Sequence, residues 1–188
     1  MASQVAEVLR SLASALRGTR WYLFGAQAAL VHGASRLTAD VDATVLPDPP
    51  GTEEILCSVR MHGFEMRPVA SDFIERTRVI PLVHVATQIQ TDLVLGGPGL
   101  EELFLQRAIE HDVEGVLVPV ASAEDLIAMK ILGGRAKDLD DVRSLLAANA
   151  DRLDLAQVHR VLEELESALD RKDLVAELQR ALRDLGQA

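Results

Sequence analysis

Asp40 and Asp42 stand two residues apart in the run Asp40-Val41-Asp42-Ala43-Thr44-Val45-Leu46, where apolar and polar residues alternate. Alternation predicts a strand over residues 40–46 with two unlike faces, and residues two apart on a strand share a face. Two carboxylates so placed repel each other unless a cation lies between them. Oxygen-only ligation of this kind suits Mg²⁺, which takes a few carboxylates and completes its shell with phosphate oxygens. The motif alone is weak. With 15 aspartates in 188 residues, chance supplies about one Asp-x-Asp, and Asp138-x-Asp140 is a second one here. A bare pair of this type is ordinarily a solvated strand face.

Two neighbouring features strengthen the reading. The run Trp21 to Phe24 predicts a buried strand that ends at Gly25 and opens directly into a helix over Ala26 to His32. Such a turn leaves backbone N–H groups of Gly25 and Ala26 without helical partners, ready to meet a phosphate. Asp92, early in the predicted strand 90–95, is a carboxylate among apolar and neutral residues. A third carboxylate is what a two-metal phosphoryl-transfer site needs.

The elements that must position these groups read as alternating α and β segments. Residues 3–17 carry Val5, Val8, Leu9, Leu12 and Leu16 at helical spacing, ended by Gly18. Pro47, Pro49, Pro50 and Gly51 break the chain before a helix over 52–63 capped by Gly63. Further strands are predicted at 79–86 and 90–95. Ser122 and Asp125 resemble a capping box opening a helix through Leu132, and another helix runs from about Asp138 to Ala148. Leu155, Val158, Leu162, Leu165 and Leu169 form a seam on one helix, and Leu174, Leu178, Leu182 and Leu185 a stripe on the last. These two helices are expected to pack as an antiparallel hairpin, their leucines serving a core. The division predicted is an α/β core over 1–120 and a helical C-terminal subdomain over 121–188.

Gly25-Ala26-x-Ala28, His32-Gly33 and Arg36-x-Thr38-x-Asp40-x-Asp42 together resemble the nucleotidyltransferases of the DNA polymerase β superfamily. The later block Glu124-Asp125-Leu126-Ile127-Ala128-Met129-Lys130 with Arg135-Ala136-Lys137-Asp138-x-x-Asp141 is similar to the AbiEii/AbiGii toxin-type members. The resemblance spans about residues 20–148. It implies an α/β (α+β) fold, a nucleotidyltransferase-like mixed sheet flanked by helices with a helical C-terminal portion. It further implies Asp40, Asp42 and Asp92 as catalytic metal carboxylates, and Gly25 and Ala26 as the triphosphate loop. Arg36, by its place before the carboxylate strand, and Thr38 belong to the same nucleotide-binding segment. Lys130, Arg135 and Lys137 would face the phosphates or the base, with Asp138 and Asp141 orienting them. Ala26 departs from the family, whose second loop residue is commonly Ser or Gly, and so removes a hydroxyl while keeping the backbone N–H. Arg135 and Lys137 have a plainer reading as counter-ions of Asp138, Asp140 and Asp141 at a helix start.

Composition bounds the rest. The net charge is −10, distributed as +3 over residues 1–39, −10 over 40–150 and −3 over 151–188. Such a balance argues against bulk nucleic-acid binding, which needs many phosphate contacts, and 3% aromatic content disfavours a base-stacking platform. The longest uncharged stretch, Trp21 to Ser35, is shorter than the ~18 apolar residues of a membrane span. Glu7 and Arg10 occupy the place of a signal peptide's apolar run. A cytoplasmic soluble protein is expected. Cys57 alone can form no internal disulfide and reads as a buried helix residue. The five histidines have no ligand spacing, and Arg76 with Arg78 reads as a solvated face. The expected function is Mg²⁺-dependent transfer of an NMP from an NTP to a hydroxyl acceptor: a tRNA end, a protein or a small molecule. The chain would be the toxin of a toxin–antitoxin pair with a cognate antitoxin. Two alternatives stand beside it, a nucleotide-binding module without turnover and an antitoxin-like interaction protein.

Overall fold

The computed structural model describes residues 3–35, 38, 40–47 and 51–186. The chain divides into two compact units, one of residues 1–27 and 38–121, the other of residues 28–37 and 122–188.

The first unit is built on a seven-stranded mixed sheet of order β3-β4-β5-β2-β1-β7-β6. Its strands are β1 (Arg20–Phe24), β2 (Val41–Leu46), β3 (Phe64–Met66), β4 (Val79–His84), β5 (Gln90–Leu95), β6 (Ile109–Val113) and β7 (Val116–Val120). Trp21, Tyr22 and Leu23 are buried in succession because β1 lies inside the sheet, antiparallel to β2 and parallel to β7. Strand β2 runs parallel to β5. Helices α1 (Gln4–Ala15), α3 (Thr52–Met61), α4 (Phe73–Thr77) and α5 (Leu100–Arg107) accompany the sheet. The α1 stripe Val8, Leu9, Leu12 and Ala15 is buried as its spacing requires, and the Ser3 hydroxyl caps it by accepting from the Ala6 N–H at 3.1 Å.

Helix α2 (Gly25–Val31) starts where β1 stops. The second unit's other helices are α6 (Ala123–Gly133), α7 (Ala136–Ala148), α8 (Leu155–Leu169) and α9 (Leu174–Asp184). Ser122 caps α6 through its hydroxyl, which accepts from Asp125 N–H at 3.2 Å, the geometry expected from the sequence. Helices α8 and α9 pack on each other and on α6. Val158, Val161, Leu162, Leu165, Leu174 and Leu178 are buried, whereas the seam's ends Leu155 and Leu169 are exposed. The leucine seam is therefore chiefly core.

Two expectations need correction, and one plainer alternative falls away. The carboxylate strand begins at Val41, not at Asp40, because Val41 is the first β2 residue with a ladder partner, Thr91. Asp40 is exposed and its N–H is taken by the Thr38 hydroxyl at 3.2 Å. Cys57 is exposed, because the inward stripe of α3 is Ile55 and Val59, and Cys57 falls on the other side of the turn. The Thr44 side of β2 is not a solvated face: Thr44 is buried and Asp42 alone in the strand stays partly exposed.

Candidate active site

Strand β1 runs opposite to β2, so its last residue, Phe24, pairs with Asp42. The chain turns at once through Gly25, whose φ is +70°, a conformation open to glycine at little cost. Space imposes the same choice. A Cβ on Gly25 would stand 2.9 Å from both Cβ and Cγ of Asp42 and closer still to Oδ2. Glycine is required here because the Asp42 carboxylate lies against the turn. Gly25→Ala is therefore expected to cost about 1–3 kcal/mol of stability and to displace the carboxylate. Urea unfolding reads the first effect, and reduced ligand-induced thermal stabilisation reads the second.

On the other side of β2, Asp42 is in register with Asp92 of β5. Paired residues on adjacent strands project to the same face about 4.8 Å apart. The two carboxylates therefore come together from positions 50 residues apart in sequence. Asp92 is tied to Arg67 by an ion pair from Nη2 to Oδ1, and Arg67 Nη1 donates to Gln90 Oε1 at 2.9 Å. Arg67 follows β3, its backbone N–H donating to the Pro81 carbonyl at 2.8 Å. Gln27, 5% exposed, donates from Nε2 to the Thr38 carbonyl at 2.8 Å. With the Thr38 hydroxyl on Asp40 N–H, this bond fixes the approach to β2. Arg36 lies outside the described residues.

The donor set fits a divalent cation. Asp42 and Asp92 are adjacent, and the Gly25 turn leaves the space that the Asp42 carboxylate fills. Among the described residues no three His, Cys, Asp or Glu side chains form a ready-made metal cage. Mg²⁺ needs none, since one or two carboxylates suffice when water and phosphate oxygens supply the remaining positions.

The second unit holds a different cluster. Lys130 of α6 reaches Asp141 of α7 at 2.6 Å and Asp138 at 4.0 Å, with all three side chains at most 7% exposed. Arg135, the residue immediately before α7, forks onto Asp138 through Nε and Nη2, the latter at 3.1 Å to Oδ1. The counter-ion role anticipated for Arg135 is thus present toward Asp138. Lys137 is an exposed residue of α7.

Sequence reasoning missed Arg67 and Gln27. Arg67 lies in Glu65-Met66-Arg67-Pro68 beside a three-residue strand too short to show a period. The Arg76–Arg78 pair has ordinary employment. Arg76 pairs with Asp72, while Arg78 donates to the carbonyls of Leu95 and Gly96 at 2.8 and 3.1 Å. His84 is buried between Thr87 and Ser11, at 3.0 and 3.1 Å.

A mixed sheet with carboxylates on adjoining strands, beside a strand–glycine–helix turn, defines a nucleotidyltransferase fold. Solved structures agree. The antibiotic-resistance factor ANT(2'')-Ia is 15% identical, aligned over 89% of this chain and 93% of its own, with a TM-score of 0.62. An antigenic nucleotidyltransferase-like protein from Paracoccidioides brasiliensis is 20% identical over 95% and 94%, at 0.55. The lincosamide antibiotic adenylyltransferase LnuA, solved with lincomycin bound, is 12% identical over 78% and 98%, at 0.53. At these identities the likeness establishes the fold. No curated protein matches the sequence. The family profile described as nucleotidyl transferase AbiEii toxin, type IV TA system, matches residues 7–187. The chain belongs to the AbiEii nucleotidyltransferase family.

Proposed function

We propose that this nucleotidyltransferase moves an NMP from an NTP to a hydroxyl acceptor at Asp40, Asp42 and Asp92, with Mg²⁺, as the toxin of a toxin–antitoxin pair in the cytoplasm. The observation that carries the reading is the register of Asp42 with Asp92 on parallel strands, beside a turn that only glycine can make. The partner would be the cognate antitoxin. The acceptor classes are a tRNA end, a protein side chain and a small molecule.

Bound Mg²⁺ would supply charge neutralisation for the triphosphate and the leaving pyrophosphate. Asp42 and Asp92 hold that cation, and Asp40, exposed at the mouth of the strand, adds a third carboxylate as substrate enters. Backbone N–H groups of Gly25 and Ala26 meet phosphate oxygens. Thr38, whose hydroxyl accepts from Asp40 N–H, frames the nucleotide beside these carboxylates. The acceptor oxygen attacks the α-phosphorus, the bond to the β-phosphate's bridging oxygen breaks, and pyrophosphate leaves. Asp92 accepts the hydroxyl proton. Ala26 offers no hydroxyl, so all its polar contact with phosphate comes from the backbone.

The test incubates α-labelled NTPs and Mg²⁺ with tRNA, with cell protein and with small-molecule pools, measuring both labelled acceptor and pyrophosphate. Wild type should label one pool, and Asp40→Ala should lose about 10²-fold or more of that labelling. Undiminished labelling by Asp40→Ala would remove Asp40 from the site. NTP binding without pyrophosphate release from any pool would favour a nucleotide-binding module that has lost turnover.

A further inference from the structure

We propose that Arg67 is a built-in placeholder for the divalent cation, a positioning residue that occupies Asp92 until metal takes it over. The inference rests on the reading that Asp42 and Asp92 hold metal.

Three observations carry it. The first is the ion pair itself. Arg67 Nη2 is bonded to Oδ1 of Asp92, the carboxylate in register with Asp42. A guanidinium thus meets the like-charged pair at one of its members, where a cation is needed to offset the repulsion. The second is how the group is held. Its backbone is fixed by the bond to Pro81, while the head is secured through Gln90 and Asp92. The third is Nε, which is buried and has no hydrogen-bond partner. A desolvated donor without an acceptor is unfavourable. The pose is therefore maintained by its charge partner and yields when a stronger cation competes for that carboxylate.

Electrostatics gives the sign. A cation entering beside Asp92 must approach Arg67⁺ or displace it, and both oppose binding. Removing the positive charge should strengthen metal binding, whereas disruption of the site or of the fold would weaken it. The direction of change separates the placeholder from a merely structural arginine.

The experiment titrates the full-length protein with Mn²⁺ alone, by calorimetry or by the free-ion resonance signal, at pH 7.5 and low salt. Arg67→Met keeps much of the apolar stem and should bind Mn²⁺ about ten-fold more tightly than wild type. Arg67→Lys keeps the charge and should stay within about two-fold of wild type. Gln90→Leu removes one tether at an exposed position and should tighten binding by about two-fold. Raising the salt to about 0.3 M should narrow the difference, because the Debye length shortens. Equal or weaker binding by both Arg67→Met and Gln90→Leu, with Asp42→Asn deficient, overturns the placeholder and leaves the metal site standing. Unaltered binding by Asp42→Asn, or no binding by any of the proteins, defeats the metal reading and the placeholder with it.

Discussion

Asp42→Asn is expected to melt no lower than wild type in the absence of ligand, and to lose most of the stabilisation that Mg²⁺ and NTP confer on wild type. The first half follows from charge. Asn fills the same volume against Gly25 and removes one of two carboxylates held in register. The second half follows from mass action. At a ligand concentration about 100 times the dissociation constant the native state gains about 2.7 kcal/mol. For a chain of this length that gain is roughly 5–10 °C in Tm. An uncharged amide is a poor substitute for an ionised carboxylate toward Mg²⁺. Carboxylates ligate only when ionised, so metal binding releases protons and strengthens as pH rises. The wild-type gain should accordingly be largest at neutral pH and shrink toward pH 4. Thermal shift with and without Mg²⁺ and ATP, across that range, measures all of this. Equal gains in wild type and Asp42→Asn would remove Asp42 from the metal site.

Lys130→Met is expected to destabilise the protein by about 3–5 kcal/mol, the cost of removing one partner of a buried ion pair. Asp141 is 3% exposed and bonded to the ammonium at 2.6 Å, and Asp138 is 5% exposed and within 4.0 Å of it. Removing the lysine leaves both carboxylates in an interior where an ionised group is expensive. Arg135 still holds Asp138, so the interaction lost is chiefly the 2.6 Å bond to Asp141. The double variant Lys130→Met/Asp141→Asn should recover part of the loss, because it removes both charges of the buried pair together. Urea unfolding of the two singles and the double decides the matter. A loss under about 1 kcal/mol for Lys130→Met would mean that the cluster is not a stabilising ion pair.

Much of the local structure was legible along the chain. Helix α1, strand β2 and the α6 cap were all visible because their signals are short-range: a stripe at three and four, an alternation at two, a serine three residues before an aspartate. Gly25 was legible as a turn between strand and helix, and the grouping of Asp40, Asp42 and Asp92 was an expectation from residue types and strand spacing to which the family resemblance added. Strands β3, β6 and β7 and helices α4 and α5 went unforeseen. They are three to eight residues long, and β6 has Glu110, His111 and Asp112 at its centre. Segments that short are stabilised mainly by their neighbours and little by their own propensity.

The amino-acid order by itself determined which residues could carry chemistry, because carboxylates, a turn glycine and a basic–acidic block are properties of residue types at small separations. Tertiary structure alone decided which of them meet. Strand register brought Asp42 to Asp92 across 50 residues, and no local pattern encodes the register between two strands so far apart. Strand pairing also left Asp40 ahead of the ladder, exposed and bonded through its N–H to Thr38. Arg67 became the partner of Asp92 only because β3 adds to β4 and β4 to β5, a chain of pairings whose first strand has three residues. The requirement for glycine at position 25 has the same origin. A positive φ can be anticipated at a turn, but the collision between a Cβ and the Asp42 carboxylate exists only once β1 lies against β2.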